Sequence, residues 1–379
     1  MSHQLIKKLL VSGYGRKNNK SYSIIKQLSQ QKMRPLEQLV RPNILQLKSY
    51  SSARDEYKGN TGTFLDANEN PFGKLNRYPD PQQCALKAKL SLLRSIPKNE
   101  IFIGNGSDEI IDLCYRVFCR PGIDKAITFS PTYGMYEVSA ATNDVALIKL
   151  PLNDEFEIEQ KLIEPYIHDE TAKLLLICSP NNPTGNLLNG IDTILRIFKG
   201  IIVIDEAYAD FATAESWTAK LNEFPKLIVI QTMSKAWGLA AARIGIAYSN
   251  SLIVDLLNKI KPPYNVSGLN QAAALQALED EKMYQEQKKL LISERDRVAK
   301  RLLENSIVKK VYPSDANFLL VKVTDADKLY SELITRQIII RNRNNVVKNC
   351  IRITIGNPEE NERLLTVLDL LANKRIIDK

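Results

Sequence analysis

The stretch KLLLICSPNNPTGNLLNGIDTILRIFKGIIVIDEAY, residues 173–208, holds a complete structural unit in one line of text. The apolar run ending at Cys178 has the length and composition of a buried strand. Asn-Pro and Thr-Gly then mark a turn, LNGIDTILRIF has the apolar spacing of a helix, and IIVI is a second apolar run closing in Asp205. Strand, loop, helix and strand in that order predict a βαβ crossover. The same alternation runs from residue 101 to 248: IFIG then SDEIIDLCYRVF, KAITF then YGMYEVSAA, VALIKL, KLIVIQT and RIGIAYS. It predicts an α/β fold, a mainly parallel sheet with helices on both faces. In such sheets the loops beyond the carboxyl ends of the strands carry the site, so the polar residues that follow each apolar run are the candidates.

After about residue 270 the texture changes. A charged helical stretch, EDEKMYQEQKKLLISERDRVAKRLLENS, precedes shorter units, NFLLVKV, DADKLYSELITR, IIIR, CIRITIG and a last helix from NPEENERLL, which predict a smaller α+β domain. The expected division is a basic leader at 1–32, an N-terminal arm at 33–71, a large domain at 72–270 and a small one at 271–379. The net charge of +9 is concentrated in the leader: Lys7, Lys8, Arg16, Lys17, Lys20, Lys26, Lys32 and Arg34 precede the first acid, Glu37. The remainder is close to neutral, so no nucleic-acid footprint is expected. The leader has the composition of a transit peptide, and the alternative is that Met33 is the true start. No run of eighteen apolar residues suggests a membrane span. Five cysteines without C-x-x-C spacing argue for a reducing compartment, expected to be the cytoplasm, and against a zinc site. Only His3 and His168 are available, which leaves little room for a Ser-His-Asp triad and none for a histidine-rich metal centre.

At the strand ends, Gly104, Asn105, Gly106 and Ser107 lead into a helix whose first turn carries Asp108 and Glu109. Free N–H groups there can hold a phosphate, and a plain helix cap on Ser107 explains the same residues. Asn182 follows the KLLLI run and can offer an amide above the sheet edge. Asp205, with Tyr208 three residues on, ends IIVI; a carboxylate buried there needs a cationic partner such as a protonated ring nitrogen. The Asp-Glu pair also resembles the acidic strand of P-loop NTPases, but no G-x-x-x-x-G-K-[ST] string exists. QTMSKAWGLAAARIG, residues 231–245, sets Lys235 behind two hydroxyls, with Ser234 and Arg243 as further phosphate ligands. A lysine at a strand end beside a ring-binding carboxylate is suited to forming an imine.

These residues, in this order, resemble the fold-type I pyridoxal 5'-phosphate enzymes, the aspartate aminotransferase-like group, whose large domain holds a seven-stranded sheet. Within it, LVRPNILQLKSYSSARDEY, FLDANENPFG, NRYPDP, PTYGMY, SPNNPTG, IDEAY, IIIR and CIRITIG are similar to the histidinol-phosphate branch of histidine biosynthesis. The resemblance covers nearly everything from about residue 37 onward. It implies pyridoxal 5'-phosphate bound covalently by Lys235, with Asp205 at the ring nitrogen, Tyr208 and Asn182 at the ring oxygen and Tyr133 against the ring face. It assigns the cofactor phosphate to Ser107, Asp108, Ser234, Arg243 and, from the other subunit of a homodimer, Tyr78. Tyr50, Asn182, Arg341 and Arg352 would bind substrate, the arginines reading both the phosphate of histidinol phosphate and the carboxylate of glutamate or 2-oxoglutarate. Two activities on the same scaffold remain open, a broad aromatic amino-acid aminotransferase and a phospho-amino-acid decarboxylase. A cofactor-binding sensor fused to a DNA-binding module would need a helix-turn-helix that the leader does not supply. The chain departs from the family's usual pattern in a short segment between Arg341 and Arg352 and in Trp237-Gly238 beside the lysine.

Overall fold

The computed structural model describes residues 34–49 and 62–377; the leader and Tyr50 lie outside them. Seven strands form the larger sheet: β1 (Ile101–Asn105), β2 (Lys125–Ser130), β3 (Ala146–Pro151), β4 (Ala172–Cys178), β5 (Ile201–Asp205), β6 (Leu227–Thr232) and β7 (Ile244–Ser249), in the order β1-β7-β6-β5-β4-β2-β3. The quoted unit folds as read, with β4 and β5 parallel and in register from Leu174 opposite Ile201 to Cys178 opposite Asp205. Its helix is shorter than the amphipathic pattern, spanning Ile191–Ile197.

The central strands β5 and β6 are buried at every position. A strand covered on both faces must be apolar on both, which is why these runs do not alternate with polar residues. Ile202 and Ile204 pack into one core with Leu90, Ile103, Phe129 and Leu175. Ile201 and Val203 pack into the other, against Ile110, Cys114 and Tyr115 of the helix Ser107–Phe118. The sheet therefore separates two apolar layers and leaves its strand ends as the place where polar groups gather.

The alternation predicts parallel pairing, and β7 departs from it by running antiparallel to both β1 and β6. The cause is the connection. Residues 233–243 between β6 and β7 contain one short turn of 3-10 helix, Ala240–Ala242, and a parallel return needs a crossover of a dozen or more residues. The chain instead turns back directly, which keeps Lys235 and Arg243 on the same end of the sheet.

The second sheet joins β8 (Val308–Val311), β9 (Phe318–Val323), β10 (Arg341–Asn342) and β11 (Cys350–Thr354) in the antiparallel order β10-β11-β9-β8. Its core sets Val321, Ile351 and Ile353 against Val298, Leu302, Leu329 and Leu365 of three helices, Glu281–Leu303, Ala326–Thr335 and Pro358–Ile377. The first of these begins within the charged stretch rather than before it. Asp280 interrupts the pattern, accepting a hydrogen bond from the Met283 backbone N–H at 3.0 Å, so one helix ends at Glu279 and the next starts at Glu281.

Candidate active site

Asp205 closes β5 with only 2% of its surface exposed. One carboxylate oxygen accepts from the Tyr136 hydroxyl at 2.9 Å and the other from the Ala207 backbone N–H at 3.0 Å. Burial pushes its pKa up to about 6, against the pull of these two bonds. Glu206, its sequence neighbour, faces a different set: Ser216 Oγ, the Trp217 N–H and Gln231 Nε2 all donate to it. The Asp-Glu pair is thus divided between a site carboxylate and a structural one. Among the described residues no cluster of metal-ligating side chains occurs.

A relay of side chains passes beside Asp205. Arg352 of β11 donates through Nη1 to Asn182 Oδ1 at 2.6 Å, and Asn182 Nδ2 donates to the Tyr208 hydroxyl at 3.2 Å. Lys235 Nζ lies 5.5 Å from the centre of the Tyr208 ring, and Phe318 meets that ring edge-on at 5.1 Å. Burial lowers the Lys235 pKa, and the Arg352 guanidinium lowers it further. An amine whose neutral form is favoured in this way is suited to act as a nucleophile and a proton carrier. Arg352 Nε is buried with no hydrogen-bond partner among the described residues.

The third group is the cradle between β1 and its helix. Ser107 is the first residue of that helix and Gly106, at φ +85°, occupies the cap position, so Ser107 is not the cap. Glu109 reaches back to accept from the Asn105 N–H at 2.6 Å, and the first-turn N–H groups of the helix have no intrahelical partner. Arg243 brings its Nη2 to 3.5 Å from Asp108 Oδ2, and a side chain on Gly106 would collide with that guanidinium. On the other side, a Cβ on Gly245 of β7 would overlap the Gly106 carbonyl and the Ser107 nitrogen. Two glycines therefore allow β7 and the β1 turn to close around the same spot.

Tyr133 stands above this spot, its hydroxyl donating to Asp108 Oδ1 at 3.0 Å and its ring set edge-on to Tyr136 at 5.7 Å. Ser234 and Thr232 are joined through their hydroxyls at 3.0 Å at the end of β6. The structure thus brings Ser107, Asp108, Tyr133, Asn182, Asp205, Tyr208, Ser234, Lys235, Arg243 and Arg352 to one end of the large sheet. Arg341 joins them through the small sheet, directly opposite Arg352 in the β10–β11 register, although it is exposed. The short segment between the two arginines is a tight reversal around Asn344–Val347, compatible with that pairing. Tyr78 lies half exposed with its ring stacked on Tyr264 at 4.4 Å. Trp237 stacks on Tyr284 at 3.8 Å and packs against the apolar cluster that contains Tyr208 and Phe318.

Sequence reasoning missed Tyr136, the second tyrosine of PTYGMY, and Thr232, one of the two hydroxyls preceding Lys235. It also passed over Arg343. Tyr136 lies in the first turn of the helix Met135–Thr142, just after the loop that carries Tyr133, and a tyrosine so close to a candidate residue is the signal that could have found it.

A scan against family models matches residues 53–368 to Aminotransferase class I and II. The chain belongs to the class I and II aminotransferases. This aminotransferase is 50% identical over 341 residues to a histidinol-phosphate aminotransferase of Parabacteroides distasonis, an alignment covering 89% of this chain and 99% of that protein. Its fold is similar to that of a histidinol-phosphate aminotransferase from Clostridium acetobutylicum, with TM-score 0.72, 25% identity and coverage of 81% and 98% of the two chains. A histidinol-phosphate aminotransferase from Sinorhizobium meliloti, solved in complex with pyridoxal-5'-phosphate, matches with TM-score 0.70 and 24% identity, over 79% of this chain and 83% of that one. The α/β fold read from the alternating runs, and the fold-type I architecture that the resemblance implied, are shared by these solved structures.

Proposed function

We propose that this aminotransferase uses pyridoxal 5'-phosphate to move an amino group between L-histidinol phosphate and 2-oxoglutarate, yielding imidazole acetol phosphate and glutamate, in histidine biosynthesis. One observation carries the substrate reading: Arg352, half-buried and with a buried Nε that has no hydrogen-bond partner among the described residues, ends one side chain away from the lysine neighbourhood and is held there by Asn182. An anion on the substrate would complete it.

The residues present fit the cofactor. Asp205 is buried without a full cationic counterpart, and a protonated pyridine nitrogen supplies one. Asn182 and Tyr208 offer polar groups for a ring oxygen, and the Gly106 cradle with Ser107, Ser234 and Arg243 suits a phosphate. When bound, pyridoxal 5'-phosphate supplies an aldehyde that condenses with amines and a protonated ring that draws electron density from the adjacent carbon. Lys235 then serves two purposes: it holds the cofactor between turnovers, and once released it carries the proton to and from the substrate Cα. Burial, with the Arg352 guanidinium beside it, shifts that amine toward the neutral form that accepts the proton. Arg352 and Arg341 orient the substrate anion, phosphate in one half-reaction and carboxylate in the other.

The deciding experiment is a single-turnover absorbance assay of the cofactor-loaded protein with histidinol phosphate, phenylalanine and histidine at equal concentration. Conversion with histidinol phosphate should exceed the others by about 10-fold or more, because phenylalanine and histidine offer the arginines a singly charged carboxylate where histidinol phosphate offers a phosphomonoester of nearly two charges. Equal conversion by phenylalanine would instead assign a broad aromatic aminotransferase, and release of carbon dioxide from a phosphorylated amino acid would assign a decarboxylase.

The functional unit we infer is a homodimer in the cytoplasm, with Tyr78 completing the phosphate cradle of the partner subunit. Leu65, Phe72 and Leu75 on the segment before Tyr78 are 90%, 93% and 76% exposed, an apolar surface that a second copy would cover. All five cysteines are free, consistent with a reducing compartment. A homodimer of Tyr78→Phe should bind the cofactor about 10-fold more weakly, the scale of one hydrogen bond to a charged group. In mixed dimers of Tyr78→Phe with Lys235→Ala subunits, the one site retaining Lys235 should regain wild-type affinity. An affinity there as weak as in the Tyr78→Phe homodimer would place Tyr78 within its own subunit's site and end the shared-site reading.

A further inference from the structure

The β10–β11 register puts a third arginine on the face that carries Arg352. Arg341 is opposite Arg352 and Asn342 opposite Ile351, and the Arg343 backbone N–H continues the ladder by donating to the Cys350 carbonyl at 2.9 Å. Side chains alternate across a strand, so Arg341, Arg343, Cys350 and Arg352 share one face while Asn342, Ile351 and Ile353 share the other. The surroundings agree. Ile351 and Ile353 belong to the small-domain core, whereas Cys350 packs with the core of the large sheet and Arg352 bonds Asn182. Asn342 points its amide to Asp327 at 2.7 Å, away from the site.

Arg343 is half buried, and its Nε, like that of Arg352, is buried with no hydrogen-bond partner among the described residues. Among those residues no ion pair with a carboxylate is made by Arg341, Arg343 or Arg352. The Arg343 pKa is lowered to about 10, first by burial and then by the neighbouring Arg352 and Arg341 charges, with Tyr208 opposing them. The guanidinium therefore feels the site's own groups. Three clustered cations, two of them with a buried nitrogen lacking a partner among the described residues, are unfavourable unless a multiply charged anion joins them. A carboxylate offers one charge and two oxygens; a phosphomonoester offers nearly two charges and three oxygens.

We propose that Arg343 is a specificity-determining ligand for the substrate phosphate, selecting a phosphomonoester over a carboxylate in the seat formed by Arg352 and Arg341. The inference rests on the proposed substrate and adds to it the residue that separates the two half-reactions. Arg352, bonded to Asn182 next to Lys235, serves both anions. Arg343, one register step further from Arg352, reaches only the larger and more highly charged one.

The test compares wild type with Arg343→Gln and Arg343→Lys, each checked for an unchanged circular dichroism spectrum and melting temperature. Single-turnover kcat/KM is measured with histidinol phosphate, with dephosphorylated histidinol and with glutamate, and inorganic phosphate is titrated as a competitive inhibitor. Arg343→Gln should lower kcat/KM for histidinol phosphate by about 10- to 100-fold and weaken phosphate inhibition by a similar factor, the scale of a lost charge-assisted hydrogen bond. Histidinol and glutamate should change by less than about 3-fold, and Arg343→Lys should recover part of the loss, since the charge returns without the fork. Equal losses for histidinol phosphate and histidinol, or unchanged phosphate inhibition, would overturn the assignment of Arg343 alone. Wild type that does not convert histidinol phosphate would overturn the proposed function, and this inference with it, before any variant is read.

Discussion

Lys235→Ala is expected to abolish transamination, with turnover reduced by at least about 1,000-fold and the protein still folded. Two losses combine in that figure. Without the amine no covalent hold on the cofactor exists, and no group at that position moves the proton at the substrate Cα. The fold should tolerate the change because Lys235 contributes little to either large-domain core, whose neighbouring members are Met233 and Ala242. Its Nζ touches the Tyr208 ring from 5.5 Å, a contact of small energetic weight at a partly exposed position. The measurements are steady-state turnover, the visible absorbance of a lysine-bound cofactor and circular dichroism. A variant that keeps the wild-type visible band would remove Lys235 from its assigned role, and a variant that keeps the band's loss but retains turnover would remove it from proton transfer. Lys235→Arg separates charge from chemistry: the guanidinium keeps the cation but not an accessible neutral amine, so its activity should be as low as that of the alanine variant.

How far the site was legible in the sequence depends on where each residue sits along the chain. Asp205, Asn182 and Lys235 follow apolar runs directly, and a parallel sheet forces the ends of such runs together, so local pattern was enough to gather them. Arg352 was found only through resemblance, because its approach to Asn182 spans 170 positions and depends on how the small sheet packs against the large one. Tyr136 and Arg343 were missed for related reasons. Tyr136 lies in a helix that buries its hydroxyl under β5, and burial of a polar tip is a tertiary fact. Arg343 lies just past the two-residue strand β10, and only the register with Cys350 shows which face it takes. The antiparallel sense of β7 was hidden in the same way: the apolar runs announce strands, while direction is decided by the length of what joins them. Tyr50 lies outside the described residues, so its substrate role stays a proposal from the sequence.

Asp205→Asn should stabilise the cofactor-free protein while costing it most of its activity. The carboxylate is buried and its pKa is raised from 3.8 to about 6 by desolvation, with Asp108 pushing it further up and Lys235, Tyr136 and the Ala207 N–H pulling it down. A carboxyl group with a raised folded-state pKa is most favourable to folding when protonated. Its contribution is fully present below the unfolded pKa near 3.8 and is lost as pH rises through about 6. Above that pH the ionised carboxylate opposes folding by about 2–3 kcal/mol, the energy of a shift of this size. Asparagine has no such ionisation. Its Oδ1 can still accept from the Ala207 N–H, and its amide can donate to the Tyr136 oxygen, whose proton is free to turn toward Cys178. The stability advantage of Asp205→Asn over wild type, followed by urea denaturation without cofactor, should therefore be near zero at pH 4, grow between pH 4 and 6 and level off above. Adding pyridoxal 5'-phosphate should reverse the order, because a ring nitrogen stays protonated only beside the carboxylate and the wild type alone gains that pair. Turnover of the variant should fall by about 100-fold or more, the ring having lost the charge that draws electrons from the substrate carbon. An advantage that is constant with pH would show that Asp205 is ionised at no cost in the folded chain, and that its partner is already provided by the protein rather than awaited from the cofactor.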